Sequence, residues 1–268
     1  MQICYLRRKR TLTLSNSQKI NLILGQPVPT KDEDLKVKQF TLREISVMTY
    51  DSYVRYVDVV TMDVDDYLKF LMDTPLYMDL YMEKHKLKTL DMIMMFGQET
   101  NFKEGFEVAL ETLLGLERGQ IEIESFSGHL LFKPDPSKED VKLIEQDLFD
   151  EIVHIIKVSN YMQTLVEDNE SNPNDERTRA LLEKMKKNRE KVAKIKALEN
   201  DEKPKGLNDI ISAVTVKSPS TNKLNILDYT LFQVYDEFQR LHVIENYEMS
   251  VKARMFGDNE LEDWAKVQ

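Results

Sequence analysis

Apolar positions along the chain recur mostly at helical spacing, and one alternating stretch stands apart from them. From Leu42 to about Val60, the residues Ile45, Met48, Tyr53, Tyr56, Val57 and Val60 fall on one side of a predicted helix. Thr41 heads it in a Thr-Leu-Arg-Glu run: the hydroxyl satisfies an orphan backbone amide while Glu44 reaches back to the cap residue. Asp63 begins a shorter helix, and Pro75 turns the chain after Asp73 because the residue before a proline is driven out of the helical region. Another helical run extends to about His85. Leu90 to Phe96 and Phe102 to Leu116 predict two packed helices, the second carrying Phe106, Ala109, Leu110, Leu113 and Leu114 along one side. Gln120 to Glu124 and His129 to Lys133, flanking Ser125 to Gly128, predict a β-hairpin. Nearer the start, Ile20 to Leu24 reads as a strand and Gly25 to Asp34 as a loop.

Ser137 opens a second capping run, ahead of Val141, Ile144, Leu148, Ile152, Ile155 and Ile156 on a long amphipathic helix reaching about Leu165. Val166 to Asp175 is rich in Asp, Glu, Asn and Ser, includes Pro173 and reads as a linker. Glu176 to Glu199 is strongly helical by propensity, with a narrow seam of Leu181, Met185, Val192 and Ile195 and with Asn188 at the missing heptad position. The last block predicts helices near Leu207 to Val216, Asp228 to Ile244 and Tyr247 to Met255, and a short one around Trp264. The expected fold is therefore mainly α with a small β component, in two lobes joined by a charged helix. Its divisions are an N-terminal α+β body over 1–166, a linker and charged helix over 167–205, and a C-terminal helical docking lobe over 206–268.

Composition sharpens this picture. The 8 Gly and 8 Pro in 268 residues leave room for long helices and give too little turn chemistry for an all-β fold. A net charge of −10 argues against coating nucleic acid, a task that needs many lysines and arginines on phosphates. The single cysteine, Cys4, cannot form an internal disulfide and fits a reducing compartment. Arg7, Arg8, Lys9 and Arg10 are not followed by an apolar stretch of signal-peptide length, and no membrane-spanning run is present. The cytosol is the expected location.

The candidate chemistry is sparse. Asp63, Asp65 and Asp66 resemble the start of a calcium loop, but Leu68 and Thr74 stand where that loop needs Gly and Glu, so a helix start that complements the backbone dipole is the better reading. His85, His129, His154 and His242 form no ligand pair by spacing, and Ser220-Thr-Asn-Lys223 sits after Pro219 in what reads as a turn. No glycine-rich phosphate loop occurs. No catalytic residue, cofactor or metal is expected. Lys184, Lys186, Lys187, Arg189, Lys191, Lys194 and Lys196 form a basic helix face, interleaved with Glu183, Glu190 and Glu199 and lacking aromatics to stack on bases. Met48, Met62, Met72, Met78, Met82, Met92, Met94 and Met95 supply adaptable side chains that serve as core filler or as a binding surface.

Several segments together resemble a family of tail-module proteins of phages that infect Gram-positive bacteria. They are Gln39-Phe-Thr-Leu-Arg-Glu-Ile45, Tyr50-Asp-Ser-Tyr53, the hairpin and long helix, the Lys/Glu helix, Leu207-Asn-Asp-Ile-Ile-Ser-Ala-Val214, the stretch Leu224 to Leu241, and Trp264. The resemblance implies a role in virion morphogenesis, as a tail-assembly chaperone or a minor tail or baseplate component, and implies no active site. Other tail proteins, among them the tape-measure chain, are the expected partners; membranes and nucleic acid are not, and self-association is left open. Ile226, Leu227, Leu231, Val234, Phe238 and Leu241 make a broad apolar face on a helix that Asp228 is placed to cap. Tyr229, Phe232, Tyr235, Phe238 and Trp264 are accordingly the candidate partner-binding residues. The competing reading is a nucleic-acid-associated phage regulator that uses the basic face from Lys184 to Lys196.

Overall fold

The structure, a computed structural model, describes residues 12–124, 128–135, 140–162 and 206–255. The expectations for Cys4, the Arg7 to Arg10 run, Ser137, the linker and basic helix between 166 and 199, and Trp264 lie outside these residues. Among those described, ten α-helices and two small antiparallel sheets make a mainly α protein with a small β component.

The chain opens on helix α1 (Asn16–Leu24), where the short apolar run from Ile20 to Leu24 had pointed to a strand. Local capping decides the matter. Ser15 Oγ accepts from the Gln18 amide, and the Gln18 side chain accepts from the Ser15 amide, so both ends of a capping box are closed. Gly25, at φ 68°, then ends the helix in the left-handed conformation that glycine adopts without penalty. The N-terminal strands are instead β1 (Val28–Pro29) and β2 (Lys36–Val37), paired antiparallel.

Thr41 and Glu44 form the expected capping box at α2 (Leu42–Met48). The single face predicted from Leu42 to Val60 is divided, however. Thr49 takes φ 74°, and α3 (Tyr50–Thr61) starts anew with the Thr49 hydroxyl accepting from the Ser52 amide. Next come α4 (Val64–Phe70), capped by Asp63, then α5 (Leu76–Glu83) after Pro75, α6 (Thr89–Phe96) and α7 (Thr100–Leu114). The hairpin appears as β3 (Ile121–Glu124) and β4 (His129–Phe132).

A third strand, β5 (Lys142–Leu143), pairs with β4, so Val141 and Ile144 do not lie on the following helix as their spacing suggested. The Ile144 amide donates to the Leu130 carbonyl, which commits this stretch to the sheet, and α8 (Gln146–Ser159) begins only after Glu145. The apolar residues from Val141 to Ile156 are continuous in spacing, but a backbone hydrogen bond to a distant strand interrupts them.

Helices α3, α7 and α8 and the hairpin share one core. α3 packs on α7, α7 lies over β3, and α8 meets α3 and α6. The i, i+3, i+4 spacing of Phe106, Ala109, Leu110, Leu113 and Leu114 buries all five. Phe149, Ile152, Ile155 and Ile156 of α8 are buried as well. Each of these leucine, isoleucine and phenylalanine side chains contributes roughly 1.5–3 kcal/mol through removal from water. Rings continue the core from α4 to α8: Tyr67–Phe96 at 5.2 Å, Phe96–Phe102 at 5.7 Å, Phe102–Phe106 at 6.0 Å and Phe106–Phe149 at 6.2 Å.

Two carboxylates on α7 serve the edge of the sheet. Glu111 accepts from the Gly119 and Ile121 amides at 2.7 and 3.0 Å, and Glu107 accepts from the Ile123 amide at 2.7 Å. These outward amides of the edge strand would otherwise lack partners, which explains why Glu111 is buried. Gly97, at the end of α6, lets the helix come close to Ile123: a Cβ there would lie 2.9 Å from its Cγ2.

The chain divides into two compact units, Met1–Thr164 with Leu227–Asp236, and Leu165–Ile226 with Glu237–Gln268. Ten residues of the last block thus group with the first unit, whereas a division by sequence at 166 and 206 keeps that block whole. In the second unit α9 (Leu207–Lys217) leads into a polar turn in which Asn222 accepts from the Leu224 and Asn225 amides and Asn225 donates to the Ser220 carbonyl. Ser220 and Lys223 belong to that turn. Finally α10 (Leu231–Met255) runs without a break where two helices were expected, and Lys217 at the end of α9 pairs with Glu245 on it.

Candidate interaction surface

The segment Leu227–Asp236 is built into the first unit by its backbone before any side chain is considered. The Leu42 amide donates to the Tyr229 carbonyl at 2.9 Å, and Thr41 and Thr230 form an antiparallel bridge. Thr230, not Asp228, caps α10. Its hydroxyl accepts from the Gln233 amide at 3.3 Å, and Gln233 Oε1 accepts from the Thr230 amide at 2.9 Å. Asp228 instead pairs with Arg43 across 185 positions of sequence. Gln233 uses its other amide atom as well: Nε2 donates to the Ile23 carbonyl at the end of α1, so one side chain caps one helix and closes another.

Of the candidate partner-binding residues, Phe232 is 2% exposed, and its ring lies 5.4 Å from that of Tyr161. Tyr235 stacks on Tyr161 as well, at 5.1 Å. Tyr161 itself holds φ 56°, a conformation costing a non-glycine residue about 1–2 kcal/mol, which the two rings help to offset. Tyr229 and Tyr235 are half-buried in the first unit, Phe238 is half-buried in the second, and Trp264 lies outside the described residues. Ile226 and Leu227 precede α10 and so do not extend its apolar face.

A different apolar surface stands open on the first unit, around α4 and α5. Phe70 is 68% exposed, Met78 62% and Met82 74%, and Met72, Leu76 and Tyr81 are exposed beside them. No residue of α5 is buried, although the helix reads Leu-Tyr-Met-Asp-Leu-Tyr-Met-Glu. Met78, Tyr81 and Met82 share its outward side by their i, i+3, i+4 spacing, and the Tyr77 and Tyr81 rings pack at 5.5 Å. Exposed apolar side chains grouped on one short helix in this way mark a site of association. Phe70 also stands at the lip of a cleft of about 400 Å³ lined by Met62, Met162, Asp58, Asp66, Lys69 and Lys157.

The charges around this surface are unequal. Residues 63–86 hold six carboxylates against three lysines, and each lysine is already paired: Lys69 with Asp66, Lys84 with Asp65, and Lys86 with Glu83. The Lys69 hydrogen bond holds the Asp66 carboxyl below the usual carboxylate range. Asp73 and Asp79, both exposed, have no lysine partner among the described residues. Sequence reasoning had placed Met72, Met78 and Met82 in a candidate binding group. The missed signal was Tyr81 and Leu76 beside them on a short helix with no buried residue.

Among the described residues no His, Cys, Asp and Glu side chains are grouped to hold a metal ion, and no helix is long and apolar enough to cross a membrane. Asp63 serves as the cap of α4, its carboxylate accepting from the Asp66 amide at 3.0 Å.

Residues 200–267 match the family model of the YomV second domain, from a phage-encoded family. The match covers about a quarter of the chain and points to phage origin. No curated protein matches, and no solved structure does.

Proposed function

We propose that this chain acts in phage tail morphogenesis, as a tail-assembly chaperone or a minor tail or baseplate component, by binding other tail proteins and without catalysis. The observation that carries the reading is the open apolar surface of α4 and α5, where Phe70, Met72, Leu76, Met78, Tyr81 and Met82 are all exposed. Such a surface is energetically justified when another protein covers it. The phage family matched over residues 200–267 and the resemblance of the chain's segment order to tail-module proteins supply the context. Methionines suit a chaperone's surface because their unbranched side chains repack against more than one partner.

The test is a phage carrying Met78→Ser and Met82→Ser in this gene. Loss of tailed particles, seen by electron microscopy, together with loss of tail proteins from affinity captures of infected cells, is the expected result. Normal tails, or captures that never contain a tail protein, would sink the proposal.

A further inference from the structure

We infer that the surface of α4 and α5 receives a basic amphipathic helix of a partner protein. This deepens, and rests on, the reading of that surface as the site of tail-protein binding. An outward Met78–Tyr81–Met82 row on a two-turn helix fits the apolar seam of another helix laid beside it.

Charge selects among the occupants. Asp79 stands exposed on the helix that carries the row and Asp73 stands exposed just ahead of it in sequence, neither with a lysine partner among the described residues, whereas the three lysines of residues 63–86 are already engaged by Asp65, Asp66 and Glu83. A second copy meeting this face by a twofold axis would set its acidic residues against their equivalents, and like charges held close across an interface disfavour it. A membrane with anionic headgroups is disfavoured for the same reason. A helix with lysines or arginines flanking its apolar seam meets both requirements, apolar contact at the methionines and opposite charge at Asp73 and Asp79.

The experiment titrates the full chain with two labelled peptides of about 18 residues, five helical turns, sharing one leucine seam, the first flanked by lysines and the second by glutamates. The lysine peptide is expected to bind at least about tenfold more tightly and to weaken as salt rises. Met78→Ser with Met82→Ser, and separately Asp79→Lys, should each weaken it by about tenfold, whereas Glu33→Lys on the β1–β2 turn should leave it unchanged. All these side chains are exposed, so folding is retained and is checked by circular dichroism. Equal binding of both peptides, indifference to the substitutions, no binding at millimolar peptide, or a dimer that Met82→Ser dissolves would each overturn the inference. A photo-cross-linking side chain at position 78 in infected cells separates it from the functional reading. A tail protein cross-linked through a segment without basic surplus overturns the helix chemistry and leaves the function standing; no tail protein at all removes both.

Discussion

Replacing Phe232 with alanine tests whether the last block is a free docking lobe or, at this position, part of the first unit's core. The ring is 2% exposed, sits 5.4 Å from Tyr161 and follows immediately on Leu231, also buried. Removing a buried phenylalanine side chain costs about 3–5 kcal/mol, the loss of transfer free energy together with the cavity left behind. The ring pair with Tyr161 accounts for about 0.5–1.5 kcal/mol of that. Against a total stability of about 5–15 kcal/mol for a domain, this is a large fraction. With a urea slope of about 2 kcal/mol per molar, a loss of about 4 kcal/mol lowers the unfolding midpoint by about 2 M. Urea melts followed by far-ultraviolet circular dichroism give the midpoint, and amide hydrogen exchange over α1, α2 and α8 assigns the loss to the first unit. Val47→Ala, at a side chain 83% exposed on α2, is the matched control and should change stability by no more than about 0.5 kcal/mol. A Phe232→Ala midpoint that stays with the control, combined with lost binding to a tail protein, would refute the reasoning and return Phe232 to an interface.

Four further outcomes are expected. Thr230→Ala removes the hydroxyl that accepts from the Gln233 amide and should cost about 0.5–2 kcal/mol by the same melts. Gly97→Ala puts a Cβ 2.9 Å from Ile123 Cγ2 and 3.0 Å from the Ile93 carbonyl, and should lower the midpoint by the equivalent of about 1–3 kcal/mol; an unchanged midpoint would show that α6 and β3 can separate freely. Arg43→Ala breaks an ion pair whose side chains are 55% and 66% exposed and should cost under about 1 kcal/mol, so a larger loss would show that the Arg43–Asp228 link does more than pair charges. Burial pushes the Glu107 carboxyl above the usual range, so the folded chain holds this proton more tightly than the unfolded one. That contribution is fully present below the unfolded carboxyl value and is lost as pH rises through the folded one. Glu107→Gln should therefore gain on the parent chain as melts are moved from about pH 4 to about pH 7, and a difference independent of pH would contradict the sign.

Much of the secondary structure was legible because short-range rules acted without competition. Thr41 with Glu44, and Asp63 at the head of α4, are self-contained caps, and the alternation around Ser125 to Gly128 needed only its two strands. The misreadings have a shared cause. Ile20 to Leu24 looked like a strand because it is a short, mostly apolar run, and the box from Ser15 to Gln18 lay just upstream of it. Asp228 looked like a cap because it precedes an apolar run, yet Thr230 and Gln233 form the actual box two residues later. Val141 and Ile144 kept helical spacing while the two residues between them pair with β4 and the Ile144 amide donates to Leu130. The candidate surface was half legible: the methionines were visible, but their exposure depends on which of them the core uses, and Met92 is buried while Met78 and Met82 are not.

The sequence by itself determined the mainly helical class, the places where most helices begin, the hairpin and the sparse candidate chemistry. These follow from capping, spacing and residue type, interactions that span a few positions. Only the tertiary structure decided that Leu227–Asp236 belongs with the first unit, that Phe232 is covered by Tyr161, and that α5 stands apolar and open. Those outcomes depend on which distant backbone groups find partners, as the Leu42 amide finds Tyr229 and Gln233 finds Ile23, and no local pattern encodes that choice.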